Sequence, residues 1–243
     1  MEEKNYLKNE TKIDLILPAY NEEESIKKCV NNFEKLNIFN KIIVIDNNST
    51  DNTKKEILKT SSKYILEKKQ GYGAAITRGL KESDADYLIT CEPDLTFSHN
   101  DVFKFLEYLK DFDCVFGTRT SKSMIEVGAK MQPYLRYGNI IVAKLLEYLF
   151  FGPSLTDVGC SYKAFKRDSI KKIINNLTVQ GSHFQPELMI KLIMNKNRII
   201  EIPVFYLRRG GYSKITYSFY SSLRVAVNMI IIIFKLFFKK FLK

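Results

Sequence analysis

The stretch Ile13-Asp14-Leu15-Ile16-Leu17-Pro18-Ala19-Tyr20-Asn21-Glu22-Glu23-Glu24 decides the architecture. Residues 13–17 are mostly branched aliphatics, which predicts a buried strand, and the proline after them predicts a turn. Beyond the turn Asn21 can cap a helix whose first turn carries Glu22, Glu23 and Glu24, where negative charge meets the positive end of the helix dipole. Ile26, Cys29, Val30 and Phe33 then recur at helical spacing. This unit of strand, turn and helix repeats along the chain. Further strands are expected at 42–45, 64–66, 87–91, 114–116 and 199–206, with a helix starting within 71–75 and another from 101 to 109 that buries Val102, Phe105, Leu106 and Leu109. Such alternation predicts an α/β fold with a mostly parallel central sheet flanked by helices.

The chain has 243 residues, 45% hydrophobic and 13% aromatic, enough for a buried core and too apolar for global disorder. No repeat, low-complexity run or flexible linker divides it, so one catalytic domain (1–215) with a C-terminal segment (216–243) is expected. The net charge of +11 points to an anionic partner, which can be a phosphorylated substrate, a membrane surface or nucleic acid. Its distribution is uneven. From Arg208 onward Arg209, Lys214, Arg224, Lys235, Lys239, Lys240 and Lys243 meet no acidic residue. These cations are interleaved with apolar residues and match no nucleic-acid motif, so no nucleic-acid partner is expected.

Residues 225–234 contain Asn228 as their one polar side chain, but Lys235 then interrupts the run, short of the roughly 20 apolar residues that cross a bilayer. At about 3.6 residues per turn, Arg224, Asn228, Lys235, Lys239 and Lys243 fall mainly on one stripe. Ile230, Ile231, Ile233, Phe234, Phe237, Phe238 and Phe241 occupy the rest. An amphipathic helix lying in the plane of a membrane surface is expected, with a core or oligomer-interface helix as the alternative. Cys29, Cys91, Cys114 and Cys160 form no Cys-x-x-Cys pair and have no histidine near them to complete a zinc site, so they read as free thiols of a reducing compartment. With no apolar run before Ile13, the expected location is cytoplasmic, peripheral on the cytoplasmic face of a membrane. Oligomeric state is left open by the sequence.

In open α/β sheets ligands bind beyond the carboxyl ends of the strands. Three such ends carry polar loops here: Pro18-Ala19-Tyr20-Asn21-Glu22, Asp46-Asn47-Asn48-Ser49-Thr50-Asp51 and Glu92-Pro93-Asp94. Singly, these are ordinary caps and turn residues. Together they describe a site. Paired carboxylates at a strand end can hold a hard divalent cation, which makes Glu92 and Asp94 the metal candidates. Arg119, after the fifth strand, can add positive charge beside them for an anionic ligand. His99 reads as a turn residue before a helix, and His183 has no assigned role.

The pattern from Ile13 to Lys214 resembles the family 2 glycosyltransferases of the GT-A nucleotide-diphospho-sugar transferase fold. Pro18 through Glu22 and Asp46 through Asp51 resemble that family's nucleotide-binding loops, and Lys69 through Gly73 its glycine segment. Gly117-Thr118-Arg119, Asp157 through Cys160, and Arg208 through Gly211 with Ser213 and Lys214 also fit. Within the family the chain is most similar to the polyprenyl-phosphate (dolichol-phosphate) sugar synthases. The resemblance implies an inverting transferase with Mg²⁺ or Mn²⁺ as cofactor, a UDP- or GDP-sugar donor and a lipid-phosphate acceptor. It places Pro18, Tyr20, Glu22, Asp46 and Gly71 with Glu92 and Asp94 around the donor, and adds Thr96 near the metal, where related synthases often have glutamine. Arg136, Arg208, Ser213 and Lys214 are expected at the acceptor phosphate.

One departure is that the family usually has Asp-x-Asp where this chain has Glu92-Pro93-Asp94; glutamate offers the same oxygen chemistry at longer reach. If the acceptor is instead a sugar hydroxyl, it must lose a proton, and Asp157 is the base candidate beside the catalytic pair Asp94 and Arg119. Nucleotidyl transfer is a rival class, but the chain has no P-loop of the G-x-x-x-x-G-K type. A non-catalytic basic module binding membranes or nucleic acid is the other rival.

Overall fold

A computed structural model describes residues 11–129, 131–209 and 219–241. Among these residues seven strands form one sheet: β1 (Ile13–Ala19), β2 (Lys41–Asp46), β3 (Lys63–Leu66), β4 (Tyr87–Thr90), β5 (Cys114–Thr118), β6 (Lys163–Lys166) and β7 (Ile199–Pro203). Their spatial order is β3-β2-β1-β4-β6-β5-β7. All pairings are parallel except those of β6, which runs antiparallel to both β4 and β5.

The helices are α1 (Ile26–Glu34), α2 (Thr53–Ile57), α3 (Tyr72–Glu82), α4 (Val102–Leu109), α5 (Pro133–Phe150), α6 (Arg167–Lys171), α7 (Phe184–Met194) and α8 (Phe219–Phe241). The period-2 geometry of the strands divides the core between the two faces of the sheet. From β1, Ile13, Leu15, Leu17 and Ala19 enter a cluster with Ile26, Phe33, Phe105 and Leu106 of α1 and α4. Ile16 turns the other way, into a cluster with Ala75, Val142, Leu188 and Ile233 of α3, α5, α7 and α8. Asp14 interrupts the apolar run and is fully buried, where its carboxylate accepts hydrogen bonds from Ser83 Oγ at 2.6 Å and Asn40 Nδ2 at 3.1 Å. Satisfying both oxygens offsets the cost of burying the group.

Four local features differ from the sequence expectation. Helix α1 begins at Ile26 rather than at Asn21. Asn21 has φ 53° and is spent on lacing two loops together: its N–H donates to Ser49 Oγ (3.0 Å), its Oδ1 accepts from Thr50 N–H (2.8 Å). Strand β6 was not legible, because Lys-Ala-Phe-Lys is short and bounded by charge, although Lys163 is fully buried. The expected 199–206 strand ends at Pro203, after which only Tyr206 makes isolated bridges, to Phe97 and Ile125.

The fourth difference is α8, a continuous helix of 23 residues. At about 1.5 Å per residue that is long enough to cross a bilayer, so the length objection raised by Lys235 does not hold. The helix is not a detached tail either. Met229, Ile232 and Ile233 are buried in the core cluster, and Phe237 meets Phe150 edge-on at 6.1 Å. Ile233 and Phe237 therefore face the protein, while Tyr220, Leu223, Val227, Ile231, Phe234 and Phe238 form the exposed apolar stripe. Arg224, Lys235 and Lys239 are exposed as well.

Candidate active site

Strands β1 and β4 are neighbours, but β1 leads outward to β2 and β4 to β6, so the sheet order reverses between them. A crevice at the carboxyl ends follows from that topology. The structure has a cavity of about 640 Å³ there, lined by 18–22, Asn47, 70–72 and 92–94 on the strand-end side. Seven expected donor or metal residues meet on it: Pro18, Tyr20, Glu22, Gly71, Glu92, Asp94 and Arg119. The opposite wall is largely apolar and comes from the helices, with Met131, Leu135 and Val142 before or on α5 and Leu223, Ala226 and Met229 on α8.

Loop bonding explains how the polar wall is held. Glu22 N–H donates to Thr53 Oγ1 (2.7 Å) and Asn52 N–H to Glu23 Oε2 (2.8 Å), joining the loops after β1 and β2. Asn47 is the hinge between the second loop and the glycine segment: its Oδ1 accepts from Gly71 N–H at 2.7 Å, and its Nδ2 donates to the carbonyls of Glu67 and Lys69. Gly71 has φ 139° and lies so close to Gln180 that a Cβ would stand 2.2 Å from its carbonyl oxygen. Only glycine fits.

The acidic cluster is tied to a residue that the sequence reading did not single out. Arg209 donates to Glu22 Oε1 (2.6 Å) and lies 2.9 Å from Asp94 Oδ2. Burial raises the Glu22 pKa, with Arg209 and Ser25 partly opposing the shift. Glu92 is pushed up to about 7, first by burial and then by the charge of Asp94, while Arg119 and Arg209 pull it down. Asp94 is held from behind, because its Oδ1 accepts from both Thr96 N–H (3.0 Å) and Thr96 Oγ1 (2.6 Å). Leu95 between them takes φ 64°, the sharp bend that brings Thr96 back onto Asp94.

Arg119 and Asp157 form a two-toothed ion pair, with Nε to Oδ2 at 2.8 Å and Nη2 to Oδ1 at 2.9 Å, while Arg119 N–H donates to the same carboxylate at 3.0 Å. Burial opposes ionisation of both partners, and their mutual attraction more than offsets it: the Asp157 pKa is lowered and that of Arg119 raised.

Several expected site residues lie elsewhere. Asp46 is 3% exposed and off the cavity, with its oxygens accepting from Ser49 N–H and the Tyr64 hydroxyl. Thr96 spends its hydroxyl on Asp94, so it orients a carboxylate instead of facing a metal. Asp157 is fully buried, and both oxygens are taken by Arg119 and Gly159, which corrects its reading as a base. Its pKa is lowered and it does not line the cavity, and both features argue against a base there.

Arg136 donates to the Thr120 carbonyl at 2.7 Å and does not line the cavity. Arg208 is exposed, its N–H bonded to Glu126, and Arg209 takes the cavity position instead. Ser213 and Lys214 lie outside the described residues. Asn47, Gln185 and Arg209 had no role of their own in the sequence reading, although Asn47 and Arg209 lie in segments that it picked out. The Arg208-Arg209 pair was the available signal for the last, but which of two adjacent arginines turns inward is a tertiary matter.

Among the described residues no group of three or more His, Cys, Asp or Glu side chains could hold a metal ion unaided. Glu92 and Asp94 nevertheless supply hard oxygen donors on the cavity wall, and a diphosphate can complete the coordination shell of Mg²⁺ or Mn²⁺. Among the described residues, Gln185 Oε1 and Arg209 Nε on the cavity lining are also buried and have no hydrogen-bond partner. The donor chemistry fits the cation.

A switch-point crevice with laced loops, paired carboxylates and two arginines suits an anionic ligand bound together with a cation. Residues 14–174 match the family described as Glycosyl transferase family 2, and the chain belongs to it: it is a glycosyltransferase of the GT-A fold. Among its relatives is the dolichyl-phosphate hexose transferase of Haloferax volcanii, 28% identical over 83% of this chain and 85% of the relative. Another is the UDP-N-acetylglucosamine–dolichyl-phosphate N-acetylglucosaminyltransferase of Methanococcus voltae, 28% identical over 79% of this chain and 84% of the relative. The fold is shared with glucosyl-3-phosphoglycerate synthase from Mycobacterium tuberculosis. Its complex with Mn²⁺, UDP and glucosyl-3-phosphoglycerate superposes with a TM-score of 0.70 at 16% identity, covering 91% of this chain and 78% of that one.

Proposed function

We propose that this glycosyltransferase moves a sugar from a nucleoside-diphosphate sugar to a polyprenyl phosphate of the dolichyl type at a membrane surface. The observation that carries the reading is the two-walled cavity, carboxylates and arginines at the strand ends facing apolar side chains of α5 and α8. One wall suits a charged donor and the other the first part of a lipid chain. Relatives named for dolichyl-phosphate transfer support the same acceptor class.

Pro18, Tyr20 and Gly71 would border the nucleoside and its phosphates, and Asn47 would keep Gly71 in place. Glu92 and Asp94 would hold a divalent cation, which when bound neutralises charge on the departing diphosphate. Arg119 and Arg209 present guanidinium groups to the same charge, where preorganised donors count most. An acceptor phosphate oxygen attacks the anomeric carbon from the face opposite the diphosphate. The new C–O bond forms as the old one breaks, the electron pair leaves with the nucleoside diphosphate, and configuration inverts. A phosphate is ionised at neutral pH and needs no base. The second reading, transfer to a sugar hydroxyl, is less well supported, because both oxygens of its base candidate Asp157 pair with Arg119.

The membrane arm of the proposal rests on α8, whose exposed stripe of Tyr220, Leu223, Val227, Ile231, Phe234 and Phe238 lies beside basic residues. Tyr137, Ile141, Tyr148 and Phe151, on or just after the adjoining α5, are exposed too. Apolar surface flanked by cations suits a boundary with anionic headgroups, and the same helices wall the cavity.

The test is a screen of UDP- and GDP-sugars with dolichyl phosphate or a free sugar as acceptor, in Mn²⁺, in Mg²⁺ or in chelator. Cation-dependent appearance of a lipid-linked sugar phosphate is expected. Transfer to the sugar hydroxyl alone, or full turnover in chelator, would overturn the proposal.

A further inference from the structure

We infer that Glu201 is a positioning residue that aims Arg119 at the donor diphosphate by holding the turn at 156–157. The inference rests on the proposed role of Arg119 for its functional consequence, but its structural content stands alone. Glu201 lies on β7, the edge strand beside β5. It is the one charged residue in Ile-Ile-Glu-Ile-Pro, a segment whose other side chains are aliphatic or proline.

The three hydrogen bonds to its carboxylate all come from one turn. Oε2 accepts from Thr156 N–H at 2.8 Å and from Thr156 Oγ1 at 2.6 Å, and Oε1 accepts from Asp157 N–H at 3.0 Å. No ion pair to Glu201 is found among the described residues. The next link is Asp157, whose carboxylate takes the Arg119 side chain at 2.8 and 2.9 Å and Arg119 N–H at 3.0 Å. Thr156 Oγ1 also lies 2.8 Å from Thr118 Oγ1 and 2.9 Å from Thr120 Oγ1, the hydroxyls on either side of Arg119.

Arg119 is thus gripped by its backbone, its guanidinium and its neighbours, all through a turn that Glu201 clamps. Gly159 completes the arrangement, since a Cβ there would stand 3.1 Å from Arg119 Nη2 and 2.6 Å from Asn139 Oδ1. The physical reason for a carboxylate at 201 is its donor-free geometry. Two oxygens can receive adjacent backbone N–H groups at once, whereas an amide would set its own N–H against one of them. A site that works by preorganised charge is sensitive to such slack, because a misplacement of about 1 Å can cost about 100-fold in rate.

The test uses the full chain with Glu201→Gln, Glu201→Asp and Glu201→Ala, alone and combined with Arg119→Ala. Arginine Nε–H signals are recorded by NMR, with that of Arg119 assigned by its loss in Arg119→Lys. UDP affinity is measured by calorimetry in Mn²⁺, and Tm is followed throughout. We expect the Arg119 signal to shift or broaden in Glu201→Gln and Glu201→Ala, and to move least in Glu201→Asp. UDP affinity should fall about ten-fold in the first two. In the Arg119→Ala background the same substitutions should lower Tm but leave UDP affinity where Arg119→Ala put it, since residues acting as one unit are non-additive.

An unmoved Arg119 signal, or an affinity loss that adds fully in the Arg119→Ala background, would overturn the inference. Should Glu201→Ala fail to fold, Glu201→Gln and Glu201→Asp decide. If the unmodified chain binds no UDP in Mn²⁺, the same measurement is made with GDP. Binding of neither would count against the proposed function, while the NMR result would still judge the clamp.

Discussion

Replacing Gly71 with alanine should damage both stability and nucleotide binding, and the structure allows the cost to be sized. The backbone there has φ 139° and ψ 141°, a conformation that residues with a Cβ rarely adopt. Holding one in such a region costs about 1–3 kcal/mol. The new methyl would also stand 2.2 Å from Gln180 O and 2.9 Å from Gln180 C, so one backbone must retreat by roughly 1 Å to reach ordinary contact. Overpacking of this kind costs about 1–3 kcal/mol more. Gln180 cannot retreat cheaply, because its carbonyl accepts from Ala74 N–H at 3.2 Å and Val179 beside it is bound by Glu187 at 2.7 Å. The sum is roughly 2–6 kcal/mol, a large part of the ~5–15 kcal/mol that stabilises a typical domain.

Urea unfolding followed by circular dichroism measures it, and tyrosine fluorescence is a second probe, since the chain has 14 tyrosines and no tryptophan. Because Gly71 N–H donates to Asn47 Oδ1 and the residue lines the cavity, UDP affinity in Mn²⁺ should fall as well. Gly138→Ala is the control. A Cβ at that position meets nothing within 4 Å, and in the interior of α5 the exchange should stabilise by up to about 1 kcal/mol. A Gly71→Ala cost below about 0.5 kcal/mol with unchanged UDP affinity would refute the reasoning.

Asp94→Asn is expected to keep the fold and lose most turnover, because it removes a charged ligand at the cavity; full activity of the variant in chelator would contradict the metal assignment. Glu187 is fully buried, and its carboxylate accepts from Thr178 and Val179 N–H and pairs with Lys191 at 2.9 Å. Burial raises its pKa, but these bonds outweigh that and leave it lowered. A lowered folded-state pKa gives stability that is present above the unfolded value and is lost as pH falls through the folded one. The urea midpoint of the unmodified chain should therefore drop more steeply below about pH 4.5 than that of Glu187→Gln, which should already be about 3 kcal/mol less stable at pH 7. Paired substitutions on the exposed stripe of α8, Ile231→Asp with Phe238→Asp, should release the protein from anionic vesicles in a sedimentation assay with Tm nearly unchanged. Deletion from Ser222 onward should instead lower Tm sharply, because it uncovers the core around Met229, Ile232 and Ile233.

Local pattern by itself determined the strand-turn-helix order of the first half, the three polar strand ends and the family resemblance. Each depends on residues a few positions apart, and strand ends converge in any parallel sheet. Tertiary structure decided what depends on partners distant in sequence. Arg209 reaches Glu22 and Asp94 because the segment after β7 runs beside the loop that follows β4, with Leu207 N–H donating to the Thr96 carbonyl at 2.7 Å, and no periodicity says that it, and not Arg208, turns inward. Asp157 looked like a base while its surroundings were unknown. Its pairing with Arg119, 38 positions away, lowers its pKa and ties up its oxygens, which argues against that role. The same holds for α8, whose amphipathic pattern suited either a membrane surface or a core until packing against α5 and α7 assigned one face to the core. Burial and charge pairing are properties of three-dimensional neighbours, and a linear sequence names the residues without naming those neighbours.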